Sequence, residues 1–531
     1  MKKLKLILVF ALIGAFLLGL SASSFALPIN VDMVDNYFYD QNRNAVAAPV
    51  AYRPIDVLGL SSWKLDKSFN PVDSFVYGEY LYIVDKGGSQ ILVVDEEYNI
   101  VKKISEIKDS PNYTVPDLDK YIYTENGTRE EDSKMARANK YALRNPEGIF
   151  ITNEGVMYIA DTENRRVVVC DLDGVCKKVY QSLRIDVLGV TFVFKPEKIV
   201  VDKSETMSVI AYGVNKGLIQ IDSDGVFQQF FGAPATSIQV TDWVYALFAS
   251  AEDLASRVKN VAAEYASITA DSKGFIYTVC SDTSTGAPSL QKLSADGSNV
   301  LTQEEARYAG YGDLQTSKES KGTVLIDAAV NEETNTYTIL DATLGRFFTY
   351  DSSGRLLFVG GGAGNQYGRF KSPTSIVCRG DQIVITDAGN QTITVYETTD
   401  YAKKVCDAIT QHKKGNYDVS AEDWNQVIQY YSNMYIAYES LGNIQVIKGR
   451  DVPDDQVEQK MEYYSKSLEY FKLAEYKKGY SESFKELRNQ ELSKYFTLIF
   501  ISFCVIFVGI IVLIYVRKYR KSRAEEKRRV G

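Results

Sequence analysis

The chain has 531 residues, 45% hydrophobic and 24% charged, with a formal net charge of −8. That length exceeds what one compact core holds, and the composition excludes a mostly disordered chain. Only one histidine is present, His412, which excludes any mechanism or metal site needing two imidazoles.

Lys2, Lys3 and Lys5 precede an apolar run from Leu6 to Leu20 and the small-residue ending Ser24-Phe25-Ala26. A basic start, a short apolar stretch and small residues before the break describe a signal peptide over 1–26, with an uncleaved anchor as the alternative. Residues 27–48 read as an N-terminal linker.

From about residue 70 to 397 one pattern recurs. An X-Pro opening leads to an apolar strand, then a second strand ending near Asp, a Gly/Asn turn, a third strand and a turn of the Asp-x-Asp-Gly kind. The clearest copy runs from Asn145-Pro146-Glu147-Gly148 through Tyr158-Ile159-Ala160-Asp161 and Asn164-Arg165-Arg166 to the turn at Asp171–Gly174. A second clear copy opens at Ser372-Pro373 and carries Ile385-Thr386-Asp387 and Asn390. Weaker copies open at Asn70-Pro71, Lys195-Pro196, Ile268 and Leu325, which makes six. Short strands at this period, separated by Gly/Asp turns, predict an all-β propeller. The sixth copy lacks an outermost strand, and Pro49–Leu60 is placed to supply it and leave no long edge exposed. Asp85 and Asp161 stand 76 residues apart, where a blade needs about 40–50, so loops are inserted. The largest are Ser105–Lys140 and Ala233–Ala262, which are either binding surfaces on a rigid scaffold or surface decoration.

At these residues the sequence resembles the NHL-repeat family, whose blades carry a Pro-x-Gly opening and Tyr-Ile/Val-Ala-Asp-x-x-Asn-x-Arg. The resemblance is closest over 146–166 and implies a six-bladed propeller over 49–397. It marks Asp85, Asp161, Asn164, Arg165, Asp341, Asp387 and Asn390 as structural repeat positions, with Tyr212 and Ser281 standing where two further Asp would be. Some related propellers, the regucalcin/gluconolactonase group, hydrolyse lactones with a divalent cation such as Ca²⁺ held by oxygen ligands in the central channel. The corresponding channel-mouth candidates here are Glu147, Glu197, Asp73 and Asp327. Glu147 and Glu197 directly follow Pro, while Asp73 and Asp327 lie one step further, so the four do not share one register. The Asp that ends each second strand is placed to cap backbone N–H groups of the turn. No residue is assigned a catalytic role, and no resident cofactor is expected. Cys170 and Cys176 flank a tight turn and read either as a hairpin disulfide or as two buried thiols.

After Glu397 the composition turns to Lys, Glu, Tyr and Leu with helical periodicity. Helices are expected over Tyr401–His412, over Glu422–Leu441 with Gly442 as its stop, and after Pro453, with a last one from about Ser481. Ala437–Gly442 and Ser467–Ala474 resemble the two helices of a tetratricopeptide repeat, which makes 398–494 a helical module and stalk. Tyr495–Val516 is 22 residues without a formal charge, about 33 Å of helix, enough to cross a bilayer. The tail, 517–531, holds eight Lys/Arg and two Glu, and the positive-inside rule keeps it in the cytoplasm.

The charge of −8 therefore splits. Removing +6 for the tail and +3 for the N-terminal lysines leaves −17 for the remainder, which excludes nucleic acid as its partner. The expectation is a bacterial envelope protein with one C-terminal span, whose body faces outside and binds a protein, peptide or glycan. The rivals are an accessory subunit of an integral-membrane complex such as a transporter, and a metal-dependent lactonase-like hydrolase.

Overall fold

The structure, a computed structural model, describes residues 36–40, 44–66, 68–124, 126, 128–232, 264–281, 289–301, 311–313 and 323–530. The expected signal peptide and the expected 233–262 loop lie outside these residues. The chain divides into two compact units, 1–410 and 411–531.

The first unit is a six-bladed β-propeller. Short runs of apolar, largely β-branched and aromatic residues, broken every few positions by Gly or Asp turns, give short antiparallel strands that pair with their sequence neighbours. Blade 1 holds Pro71–Tyr77, Tyr80–Asp85, Gln90–Val94 and Ile100–Ile104; blade 2 holds Gly148–Ile151, Met157–Asp161, Arg166–Cys170 and Cys176–Gln181. Blade 3 runs over Pro196–Phe231 and blade 5 over Leu325–Gly361, each with four strands; blade 4 has three described strands between Tyr265 and Leu293. Blade 6 takes three strands from Pro373–Thr398 and its outermost from Tyr52–Gly59, which pairs antiparallel from Thr392↔Gly59 to Thr398↔Tyr52. The first strands of successive blades are neighbours around a closed ring, 373–379 lying beside 71–77.

The apolar core is layered between blades, because both faces of each small sheet carry buried side chains. Val84, Ile91, Ile149 and Ile159 fill the layer between blades 1 and 2; Val167, Ile199, Val209 and Ile219 fill the next. Part of the segment expected as a linker is a hairpin, Tyr37–Tyr39 with Ala45–Ala47. Its Tyr37 and Tyr39 sit in the core shared with Val279, Ile339 and Phe348 of blades 4 and 5. Cys170 and Cys176 are cross-strand partners in blade 2, both buried and both free thiols.

Helix α1, Asp400–Lys413, follows blade 6, and its Tyr401 ring lies 6.1 Å from that of Phe358. The second unit contains α2 (Tyr417–Tyr430), α3 (Tyr435–Asp451), α4 (Val457–Leu473) and α5 (Lys477–Val530). The single helix expected over Glu422–Leu441 is thus two, because the chain turns extended at Tyr431 after burying Trp424 and Val427. Gly442 does not stop a helix. It lies inside α3, where a Cβ would come within 2.5 Å of the Phe471 ring, so the glycine lets α4 approach. Helix α5 begins at Lys477 rather than Ser481, and it is long and apolar enough to cross a membrane.

Candidate functional site

The Asp that closes each second strand gathers backbone and side-chain donors. Asp85 accepts from the N–H groups of Asn70 (2.9 Å) and Gly88 (3.0 Å). Asp341 takes those of Val324, Thr343 and Leu344, and Asp387 those of Lys371, Ser372, Gly389 and Asn390. Asn390 Nδ2 adds a bond to Asp387 at 2.8 Å. In blade 2, Asp161 accepts from Arg144 N–H (2.7 Å), Asn164 Nδ2 (2.8 Å) and Arg166 Nε (2.7 Å). The arginine of this network is Arg166, whose side chain is fully buried, and not its neighbour Arg165. Strand register also corrects the two exceptions. Pro196 pairs with Ala211 and Tyr265 with Cys280, as Pro71 pairs with Asp85, so Ala211 and Cys280 occupy the Asp position. Tyr212 follows the strand and is 68% exposed.

The four channel candidates divide between two levels. Five of the six first strands carry an irregularity near their start, which puts Asp73, Lys198, Ser267, Asp327 and Ser375 at one register position. Gly148, paired with Ala160, is the blade 2 counterpart. These six residues therefore form one polar level around the axis. Lys198 of blade 3 reaches past the side-chain-free Gly148 to form an ion pair with Asp73 of blade 1. Asp73 also accepts the Ile149 N–H at 3.0 Å. Asp327 is bound in the same way, accepting the Ile376 N–H at 2.7 Å and the Ser267 hydroxyl at 2.5 Å. The hydroxyls of Ser74 and Ser375 meet at 3.1 Å. Burial pushes the Asp73 carboxyl up despite the Lys198 ammonium, and the Asp73 and Asp327 carboxylates hold Lys198 up against its own desolvation.

Glu147 and Glu197 lie outside this level. Glu147 pairs with Lys86 at 2.6 Å. Burial, followed by the charges of Glu147 and Glu264, pushes Glu197 up to about 7. Among the described residues, no group of three or more His, Cys, Asp or Glu side chains is arranged to hold a metal ion.

A second region lies on the flank of blade 2. The 105–140 insert forms a small hairpin, Tyr121–Tyr123 with Arg129–Glu131, and a one-turn helix at Ser133–Ala136. It is tied to the outer edge of the blade: Gln181 Nε2 donates to the Asp117 carbonyl (3.0 Å), and Ser182 Oγ donates to the Asp119 carboxylate. Between the hairpin, the turn at Arg165 and the 182–194 loop is a cavity of about 390 Å³. Ile185, Phe192 and Phe194 are among its apolar lining residues, and Arg129, Arg165 and Arg184 are its cations. Arg129 stands over the Tyr121 ring at 3.9 Å; Arg184 donates to the Tyr123 hydroxyl at 2.9 Å. Arg165 bonds Asp132 through Nη2, while its Nε and Nη1 are buried without a hydrogen-bond partner among the described residues. The sequence signal for this place was the length of the 105–140 insert. The 182–194 loop gave none, since its apolar residues read like any strand edge.

No protein-family model matches the chain, and no curated protein matches it. Among solved structures, virginiamycin B lyase from Staphylococcus aureus overlays with a TM-score of 0.37 at 11% identity, covering 66% of this chain and 100% of that one. Streptogramin B lyase gives 0.38 at 11% identity, over 66% and 98%. The β-propeller domain of Cps50 (Swd1) from Myceliophteria thermophila gives 0.34 at 10% identity, over 66% and 100%. At these values the overlays carry no argument, and the six blades rest on strand pairing alone.

Proposed function

We propose that this chain is a membrane-anchored binding module whose propeller works outside the cytoplasm, with the flank cavity of blade 2 as the surface that engages a protein, peptide or glycan. One observation carries this reading: the axial polar groups are bonded to one another, whereas the flank cavity is open and two of its arginines, Arg129 and Arg184, form no ion pair among the described residues. Rigid scaffolds commonly bind through such loop-built concavities. The basic tail at the end of α5 supports the orientation, and the 22 uncharged residues within α5 supply an anchor that would seat the module beside an integral-membrane partner. We read the blades as NHL-type, supported by the Asp161–Asn164–Arg166 network, and α3 with α4 as a tetratricopeptide-like pair, supported by the Gly442–Phe471 approach. Against the lactonase reading stands the Lys198 ammonium, already seated on Asp73 where a cation would bind.

The test is site-specific photocrosslinking in native membranes. A crosslinker at Tyr121, on the cavity, is expected to capture a discrete partner that one at Tyr212 does not. Capture of the same set of proteins from both sites, or of nothing from Tyr121, would sink the proposal.

A further inference from the structure

We infer that the turn between α3 and α4, residues 452–456, is a membrane contact that rests in the lipid headgroup layer beside the span. This contact goes beyond the proposed function, and it rests on the reading of α5 as a membrane helix. The first ground is the place where α5 parts from α4. Only residues 474–476 join the two helices, which pack along one another and so run antiparallel. Lys494 Nζ pairs with the Glu458 carboxylate at 2.9 Å. Glu458 is in the first turn of α4, and Lys494 is the last charged residue before the uncharged run that starts at Tyr495. Helix α5 is unbroken here, and it stays against α4 up to the residue where its apolar stretch begins. The stretch expected as a stalk therefore has no free length.

The second ground is the direction of the turn. From Glu458 the chain runs back through Val457 and residues 452–456 into α3, whose last residue is Asp451. In an antiparallel pair, moving toward the start of α4 is moving along α5 toward its apolar stretch. The turn thus lies beyond the Lys494–Glu458 pair, level with Tyr495 and the residues that follow it. Asp451 and residues 453–456 are exposed there, and Asp454 is held by Lys460.

The third ground is depth. Residues 495–516 make about 33 Å of helix and a hydrocarbon core takes ~30 Å, which leaves about two residues of slack. Lys494 and Arg517 bound that slack at the two ends. The headgroup layer outside the core is ~5–7 Å thick, so a turn level with the first residues of the span lies within it. Asp451, Asp454 and Asp455 stop it there, because carboxylates do not follow an apolar helix into hydrocarbon. Tyr495, at the same height, is of the residue type that gathers at this interface. The packing of α4 on α5 imposes the contact, which needs no affinity for a particular lipid. The helical module is then held to the bilayer at two places, by the span and by the turn.

Depth-dependent fluorescence quenching tests the contact on the full chain in phosphatidylcholine bilayers, with quenchers carried on the headgroup or deep in the acyl chain. A thiol-reactive fluorophore is placed at native Cys504 and, in a Cys504→Ser chain, at Asp455→Cys or Ser481→Cys; the remaining cysteines are buried or half-buried. Ser481 is exposed on α5, 14 residues or about 21 Å before Tyr495. The headgroup quencher is expected to act about 3-fold more strongly at 455 than at 481, and the deep quencher on 504 alone. Inserting seven helical residues between Lys494 and Tyr495 lifts the turn by about 10 Å. That insertion should cut headgroup quenching at 455 about 3-fold and leave deep quenching of the Cys504 label unchanged. Equal quenching at 455 and 481, or quenching at 455 that survives the insertion, overturns the contact and leaves the span standing. Absence of deep quenching at 504 overturns the span and the contact with it. A photocrosslinker at position 455 in native membranes should form lipid adducts; a protein adduct in their place would assign the turn to a partner and overturn the headgroup contact.

Discussion

The axis and the flank of this propeller are both rich in charge, and they treat it in opposite ways. At the axis, Asp73 and Asp327 each accept a backbone N–H from the next blade, and Lys198 crosses a whole blade to neutralise Asp73. Every one of those groups joins two blades, so the charges hold the ring together. At the flank, Arg165, Arg184 and Arg129 are supported by one carboxylate and two tyrosine rings, and Arg184 and Arg129 form no ion pair among the described residues. A carboxylate at a channel mouth is therefore a poor guide to chemistry when its lone pairs are already filled.

The contrast can be broken from either side. The largest effect is expected for Asp73→Ala, which leaves the buried Lys198 ammonium and the Ile149 N–H unpaired; thermal or urea unfolding should show a loss of ~3–5 kcal/mol, with binding at the flank unchanged in whatever fraction remains folded. Gly148→Ala comes next. Its Cβ would lie 2.3 Å from the Glu197 carbonyl oxygen, so blade 3 must shift and destabilisation of ~1–3 kcal/mol is expected. Glu197→Gln should act in the other direction, and only at high pH. The folded state holds this carboxyl up to about 7, above its unfolded value of ~4.3, so native stability falls as pH rises through that window. Discounted for partial exposure, the variant should gain about 1 kcal/mol at pH 8 and nothing at pH 4 in parallel melts. Smallest is Tyr121→Ala, a residue that is 37% exposed: stability should stay within ~0.5 kcal/mol of the parent while capture of a partner at the cavity, read with a crosslinker at Ile122, declines. An axis variant that abolishes binding without unfolding, or a flank variant that unfolds the ring, would erase the distinction.

Much of the propeller was legible because its pattern is local. Apolar strand runs and Asp/Gly turns located six blades, and the missing strand of blade 6 pointed to Pro49–Leu60, within which Tyr52–Gly59 pairs, because an open edge is unstable. What escaped were features fixed by register and by distant packing. Counting back from turns placed the Asp position of blades 3 and 4 at Tyr212 and Ser281; pairing puts it at Ala211 and Cys280, since the loops that follow are not of uniform length. Arg165 was marked as a repeat position, but the Asn-x-Arg pattern counted from Asn164 falls on Arg166, and the contacts agree: Arg166 bonds Asp161 while Arg165 bonds Asp132. The polar level at the axis was half visible: Asp73, Gly148 and Lys198 all stand two residues after an opening proline, but that the lysine spans the glycine to reach a carboxylate two blades away is a matter of ring geometry. A helix stop at Gly442 failed for a related cause, as that glycine answers to Phe471 on another helix and not to the local chain.

The strand Tyr52–Gly59 also sets an order of events. The Thr399 hydroxyl donates to the Val50 carbonyl, a partner 349 residues away, and the neighbouring ladder joins the same two stretches. During synthesis this early strand must wait, unpaired, until the last blade has been made. Closing so long a loop is entropically slow, and blades 1 to 5 can form before it happens. An N-terminal strand held open until the final blade arrives makes ring closure a checkpoint on completeness: a chain cut short before Thr398 would expose two unsatisfied sheet edges and be the form that proteases recognise.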